Sequence, residues 1–140
     1  MFSQRIRHVM DRRKLLMAPP DTTVVAAAKL MAKRNVGAVI VVEDTRLVGI
    51  FTERDAVCRV MAKGLDPKAT RLASVMTVSP KTAGPDEPFG HALLIMHEGG
   101  FRHMPVVENG VPVGMISARS ALDPDMEEFV SEAQRRLSLR

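Results

Sequence analysis

The strongest constraint on the fold is an internal repeat with a period of 65 residues. When the chain is shifted by 65 positions, Gly114 to Ser117 lie on Gly49 to Thr52, and Pro85-Asp86 lies on Pro20-Asp21. Residues 20 to 56 align in this way without a gap. Tandem units of this kind bury their apolar faces against each other. We therefore expect two similar units that pack together.

The length of the chain supports this interpretation. A chain of 140 residues suits one compact domain or two small halves with a shared core, because a half of about 60 residues buries too little surface alone. Hydrophobic residues make up 46% and charged residues 26%, as is typical of a globular protein. The division that follows is a first repeat with a basic arm at 1–66, a second repeat at 67–124 and a terminal helix at 125–140.

Each repeat is predicted to have the order β-α-β-β-α. Apolar residues at helical spacing predict helices at about 23–34, capped by Asp21 or Thr22, and at about 87–98, capped by Asp86. Strands are expected at about 38–43, 47–51, 103–108 and 111–116, the last pair joined by an Asn109-Gly110 turn. The strands are rich in Val and Ile, which indicates burial on both faces. We expect an α/β fold of the α+β type, with two pseudo-symmetric repeats packed sheet to sheet and helices outside.

The junction between strand and helix at Thr52 carries a recognisable cap. The Thr52 hydroxyl can accept from the amide of Asp55, and the Asp55 side chain can reach back. Ser117 should open the corresponding helix in the second repeat. Helix capping alone would explain both residues, so a functional role needs further support.

Charge leaves one alternative function open. The net charge is +4, with an isoelectric point near 9.7, which is compatible with anionic partners. The basic residues that crowd the termini are Arg5, Arg7, Arg12, Arg13, Lys14, Arg135, Arg136 and Arg140. No aromatic set for base stacking accompanies them. A nucleic-acid-binding or protein-docking module remains the alternative, with nucleic acid the less favoured partner.

The sequence contains no motif that is typical of a catalytic or metal-binding site. Phosphate-cradling glycine loops of the GxxxxGK type are absent, and His91 and His97 are six residues apart, which is wrong for a shared metal on one helix. We expect no enzyme activity, no catalytic residues, no metal site and no required cofactor. Cys58 is the single cysteine, so no disulfide framework is possible, and we expect it in the core. Neither a signal peptide nor a membrane span is evident, which predicts a cytoplasmic protein without membrane association.

The repeated motifs resemble those of the CBS domain family, whose members carry tandem β-α-β-β-α units called a Bateman module. The matching segments are residues 37–42 and 49–55 in the first unit, and 101–107 and 114–117 in the second. The resemblance covers about residues 9 to 122 and implies a stand-alone module. It also implies a regulatory ligand with an adenosyl group, namely AMP, ADP, ATP, NAD(H) or S-adenosylmethionine, bound between the repeats.

The resemblance implies a main ligand cleft with a defined set of residues. These are Ile50, Thr52, Arg54, Asp55, Ser79, Lys81, Arg102, His103, Met104 and Pro105. Asp55 would accept hydrogen bonds from both ribose hydroxyls, and the helix start favours an anion. Arg102 and His103 would face a phosphate, although they could instead be an exposed strand start.

The resemblance also implies a second, pseudo-symmetric cleft, which we rank below the main cleft as a ligand site. Its residues are Lys14, Leu16, Gly37, Ala38, Val39, Ser117, Arg119 and Ser120. Two positions depart from the family pattern. Ser120 replaces the ribose-binding carboxylate, and Ala38 stands where a basic phosphate contact can occur.

The outer helices carry more apolar residues than is usual for a fully solvent-exposed surface. Val57, Val60 and Met61 lie on one helix, and Phe89, Leu93 and Met96 lie on another. Exposed apolar patches often mark interfaces, and a twofold dimer closes such a patch. We expect a homodimer formed helix to helix, with the terminal helix near its rim, and an effector protein of unknown identity.

Overall fold

The computed structural model describes residues 3–12, 15–121 and 123–138. A short 3₁₀ turn occupies Ile6–His8, and it is followed by β1 and the elements of the first repeat. These elements are β1 at Met17–Ala18, α1 at Val24–Arg34, β2 at Ala38–Glu43, β3 at Arg46–Thr52 and α2 at Glu53–Asp55, which continues as a π-helix at Ala56–Met61.

The elements of the second half are α3 at Leu72–Val75, β4 at Thr77–Val78, α4 at Phe89–Gly99, β5 at His103–Glu108, β6 at Val111–Ser117, a 3₁₀ turn at Ala118–Ala121 and α5 at Asp123–Ser138. Of these, α4, β5 and β6 repeat the order of α1, β2 and β3. The predicted strands and the helices α1, α4 and α5 are present, and their ends differ by a few residues. The helix that Ser117 was expected to open is instead a short 3₁₀ turn.

Two predicted helix caps were wrong. Helix α1 begins after Thr23, whose hydroxyl accepts from the amide of Ala26 at 3.3 Å, so neither Asp21 nor Thr22 is the cap. Helix α4 begins at Phe89 with no side-chain cap. Asp86 instead accepts a 2.7 Å hydrogen bond from Arg7 Nε. Arg7, which is distant in sequence, thus binds the carboxylate that the local sequence pattern predicted to cap the helix.

The strands form two sheets with matching connections. The first has the order β1-β2-β3-β4, in which β1 and β2 are parallel and the other pairs antiparallel. The second consists of the β5-β6 hairpin. Single bridges extend it on both sides, from Ala83 to Val106 in parallel and from Asp11 to Met115 in antiparallel orientation. The repeat in sequence is thus a repeat in topology.

Each sheet is completed by a segment that precedes the other repeat. Strand β4, which comes before α4, pairs with β3 of the first sheet. The N-terminal segment, which precedes the first repeat, instead packs against the second. Ile6 is fully buried in the core of the second repeat, and its amide donates to the carbonyl of Glu87 at 3.0 Å. The two halves are therefore interlocked, and the domain division near residue 66 stays a prediction.

Alternation along the strands separates two buried faces. Val39, Val41 and Phe51 pack with α1 and α3 in the first core cluster. Their neighbours Ile40 and Ile50 are also buried but point to the opposite face, as the period of two requires.

The second repeat has a corresponding core of its own beneath α4. A hydrogen bond of 3.1 Å from the amide of Leu47 to the carbonyl of Gly110 joins β3 to the second hairpin. The expected fold, with two β-α-β-β-α repeats packed through their sheets, is confirmed. Among the described residues, no helix has the length and apolar character needed to cross a membrane.

Candidate functional site

A cleft of about 1050 Å³ lies between the two repeats. Its walls come from the end of β3 with the helix that follows, from the segment after α3, and from the chain between α4 and β5. Eight residues of the predicted main cleft line it: Ile50, Thr52, Arg54, Asp55, Ser79, Lys81, Arg102 and His103. The volume is close to the upper end of the range for small-molecule sites in proteins.

Two residues expected in this cleft do not line it. The side chain of Met104 is fully buried in the core beneath α4. Pro105 is also fully buried. Because neighbouring side chains on a strand alternate, Met104 must point to the opposite face from His103. Neither side chain is available to a ligand in this cleft.

Thr52 and Asp55 form the predicted capping box. The Thr52 amide donates to Asp55 Oδ2 at 2.9 Å, and the Asp55 amide donates to Thr52 Oγ1 at 3.2 Å. The other carboxylate oxygen, Oδ1, lies 3.5 Å from Arg59 Nε. A carboxylate offers about four lone-pair sites, so Asp55 keeps capacity to accept from a ligand hydroxyl. Its side chain is 13% exposed, towards the cleft.

Arg54 connects the two repeats across the cleft. Its Nη1 donates to the carbonyl of Gly100 at 3.3 Å. Gly100 ends α4 in the left-handed conformation, with φ +71°. Carbonyls at the end of a helix carry partial negative charge, which favours a cation there. The hydrogen bond to a neutral carbonyl leaves the positive charge of Arg54 unneutralised.

The segment after α3 supplies two polar side chains from one wall. The amide of Ser79 donates to the carbonyl of Val48 at 3.2 Å, and Ser79 has φ +48°. Lys81 follows and is exposed. Within the described residues Lys81 and Arg102 have no ion-pair partner. Together with Arg54, these residues are cations of the cleft whose charge no described carboxylate pairs with.

His103 is held close to Glu53 at the start of β5. A Cβ atom added to Gly37 would lie 2.9 Å from Glu53 Oε1 and 3.2 Å from His103 Nε2. The missing side chain at Gly37 therefore makes room for both groups. Burial lowers the pKa of His103 below its usual value of 6.5, the Glu53 carboxylate opposes this shift and Arg102 adds to it. At neutral pH His103 is uncharged, and Arg102 supplies the positive charge.

Several lining residues were not foreseen from sequence. They are Glu53, Val57, Cys58, Arg59, Thr77, Pro80, Gly99, Gly100 and Phe101. Cys58 was expected in the core and is exposed. The prediction was wrong because residues 56–61 form a π-helix, in which only Val60 is buried, so spacing for an α-helix misplaces the apolar face. Of these residues, Phe101 could have been predicted to line the cleft, because it is an aromatic residue directly after Gly99-Gly100.

The second cleft has less support in the geometry. Leu16 and Val39 belong to the first core cluster, and Ala38 is also buried. Gly37 lies against Glu53 and His103 of the main cleft. Arg119 is exposed and Ser117 is half-buried. Lys14 and the side chain of Ser120 lie outside the part of the chain that is described.

Comparison with known proteins gives a family match over most of the chain. The model of the CBS domain matches twice, at residues 6–61 and 72–126. A CBS domain-containing protein of Arabidopsis thaliana is 41% identical over 98 residues, which are 70% of this chain and 18% of the relative. The chain thus spans about a fifth of the length of the first curated relatives it matches.

Solved structures show the same fold. An uncharacterized conserved protein from Pyrococcus horikoshii superposes with a TM-score of 0.82 and 31% identity, over 89% of this chain and 94% of that one. A CBS domain protein from Pyrobaculum aerophilum, solved in complex with AMP, has a TM-score of 0.76 and 27% identity, over 84% and 89%.

Proposed function

The chain belongs to the CBS domain family, and from that premise we propose that it is a regulatory module for an adenosyl ligand. AMP, ATP or NAD(H) would bind in the cleft between the repeats, and the bound module would signal to an effector protein. The proposal includes no enzyme activity, since CBS domains generally serve in regulation and signal transduction. We further propose a cytoplasmic homodimer that senses the energy state.

The observation that carries the proposal is the composition of the cleft. It joins a carboxylate at a helix start, Asp55, with the unpaired cations Lys81 and Arg102 in one cavity. A nucleotide presents a ribose diol and a phosphate, which are the groups that such a set can bind. One carboxylate can accept from both hydroxyls of a diol, and cations stabilise a phosphate.

The balance of charge in the cleft also favours an anionic ligand. Four cationic side chains, Arg54, Arg59, Lys81 and Arg102, face two carboxylates, Glu53 and Asp55. Clefts of one sign attract ligands of the other sign and raise their association rate. The AMP complex of the Pyrobaculum aerophilum protein, with the same fold, supports this ligand class.

The alternative based on basic termini loses support from the ion pairs there. Arg7 lies 2.7 Å and Arg5 3.7 Å from the carboxylate of Asp86. At the other end, Arg135 and Arg136 lie 2.8 and 3.3 Å from that of Glu132. Each carboxylate compensates one of its two arginines, which lowers the charge that either end offers to a polyanion. The cleft therefore accounts better for a ligand than the termini do.

A thermal-shift panel tests the proposal. The panel contains AMP, ADP, ATP, NAD, NADH, S-adenosylmethionine and a short oligonucleotide. A ligand at a hundred times its Kd stabilises the folded state by about 2.7 kcal/mol, so a binding nucleotide raises the melting temperature by several degrees. A shift with the oligonucleotide alone would favour the nucleic-acid alternative and contradict the proposal.

A further inference from the structure

Arg59 makes three contacts that connect the Asp55 helix to the chain entering the second repeat. Its Nη1 donates to the carbonyls of Val75 and Met76, at 3.2 Å each. Its Nε lies 3.5 Å from Asp55 Oδ1. The guanidinium therefore lies between the proposed ribose-binding carboxylate and two successive backbone carbonyls.

Those two carbonyls lead directly into one wall of the cleft. Val75 ends α3, and the next residues include Thr77, Ser79 and Lys81, which line the cavity. We call residues 77–81 the linker wall. Any movement of the main chain at residues 75 and 76 is passed to this wall over a few bonds.

The linker wall is held by few other interactions. Strand β4 has only two residues, paired with Gly49 and Ile50. Beyond it, the Ser79 amide makes one hydrogen bond to Val48. Ser79 also has φ +48°, a conformation that is costly for a residue other than glycine and persists only where its surroundings enforce it. The two bonds from Arg59 to the chain just before this wall add to these interactions.

We infer that Arg59 is a positioning residue of the ligand site, which holds the linker wall so that Lys81 meets the ligand's phosphate. This inference rests on the proposed function. The geometry needs arginine, because a planar guanidinium can span two carbonyls and a carboxylate at once. The single nitrogen of lysine carries the same charge but cannot reproduce that span.

A double-mutant cycle separates positioning from direct attraction. Calorimetry would measure AMP affinity for Arg59→Met, Arg59→Lys, Lys81→Met and the combination of Arg59→Met with Lys81→Met. We expect both Arg59 variants to bind AMP about tenfold more weakly. In the Lys81→Met background, Arg59→Met should cost less than about twofold, because the contact that Arg59 positions is already lost. Lys63→Met, which removes an exposed charge outside the cleft lining, is the control and should bind like the natural protein.

Two outcomes of the cycle would overturn the inference. Arg59→Lys binding as tightly as the natural protein would mean that charge alone matters. Full additivity of the Arg59 and Lys81 effects would mean that Arg59 acts on the ligand without Lys81.

Hydrogen exchange tests the same inference without any ligand. In Arg59→Met and Arg59→Lys, the amides of residues 77–79 and of Lys81 should exchange at least about fivefold faster, because local opening becomes easier, while the β5-β6 hairpin is unchanged. Unchanged exchange at 77–81 would refute the role of Arg59. If the natural protein bound no adenosyl ligand, the proposed function would fail, whereas the exchange rates would still decide whether Arg59 holds the wall.

Discussion

Replacing Asp55 should separate ligand binding from helix capping. The Asp55 carboxylate accepts from the Thr52 amide at 2.9 Å and lies 3.5 Å from Arg59, and it faces the cleft. Asp55→Ala removes all of these interactions together. Asp55→Asn keeps an oxygen for the Thr52 amide but loses the charge and one acceptor. The alanine variant should therefore lose both stability and affinity, and the asparagine variant mainly affinity.

The expected sizes follow from the groups involved. Hydrogen bonds to a charged group contribute about 1.5–3 kcal/mol, so either variant should bind AMP about 10- to 150-fold more weakly. Loss of a helix cap costs about 0.5–2 kcal/mol of unfolding free energy, which applies to Asp55→Ala.

Calorimetry and urea denaturation measure the two quantities separately. The matched control is Thr23→Ala, which removes the cap of α1 outside the cleft lining. It should lower stability by a similar amount and leave AMP affinity unchanged. Unchanged affinity in Asp55→Asn, with the fold intact by circular dichroism, would refute the role of Asp55 in binding and leave capping as its function.

Three further predictions concern pH and assembly. Burial lowers the pKa of His103, so the stability it contributes is present above pH 6.5 and lost as the pH falls through its lower folded pKa. His103→Gln should therefore flatten the loss of unfolding free energy in urea between pH 7 and pH 5, and an unchanged slope would contradict this. The hydrogen bond from Arg7 lowers the pKa of Asp86, so stability from this pair is present at neutral pH and lost in acid. Arg7→Ala should then destabilise the protein at pH 7 but not at pH 2, and equal effects at both would contradict the pairing. Val57 and Met61 are 54% and 74% exposed, and replacing both with Glu should convert a dimer to a monomer in analytical ultracentrifugation. A monomeric mass near 15.4 kDa for the natural chain would rule out the dimer.

Local sequence patterns were enough to predict the repeat, the strands and the capping box. The cap at Thr52 depends on residues three positions apart, so its geometry follows from the sequence directly. Strand pairing was also predictable, since Asn109-Gly110 favours a tight hairpin and both residues have positive φ. Eight of the ten residues that the family resemblance implied for the main cleft line the observed cavity, and their role in binding stays a prediction.

The errors have non-local or irregular causes. Asp86 reads as a helix cap in isolation, but the folded N-terminal segment brings Arg7 to it. Cys58 was misplaced because a π-helix changes the spacing of side chains around the helix. Met104 was grouped with its neighbour His103, although strand alternation separates their side chains. Arg59 was missed because its contacts with Val75 and Met76 depend on how the segment between the two repeats packs in the folded protein.

Chemical-shift mapping by NMR tests the central claim most directly, because it reports both whether a ligand binds and where. The isotope-labelled chain would be titrated with AMP, ATP, NAD and S-adenosylmethionine, and with a short oligonucleotide. We expect at least one adenosyl ligand to shift the amides of Thr52, Asp55, Ser79 and Lys81 and those of residues 100–103, which surround the cleft. Shifts confined to the basic terminal segments, or no shift with any adenosyl ligand at millimolar concentration, would contradict ligand sensing in this cleft.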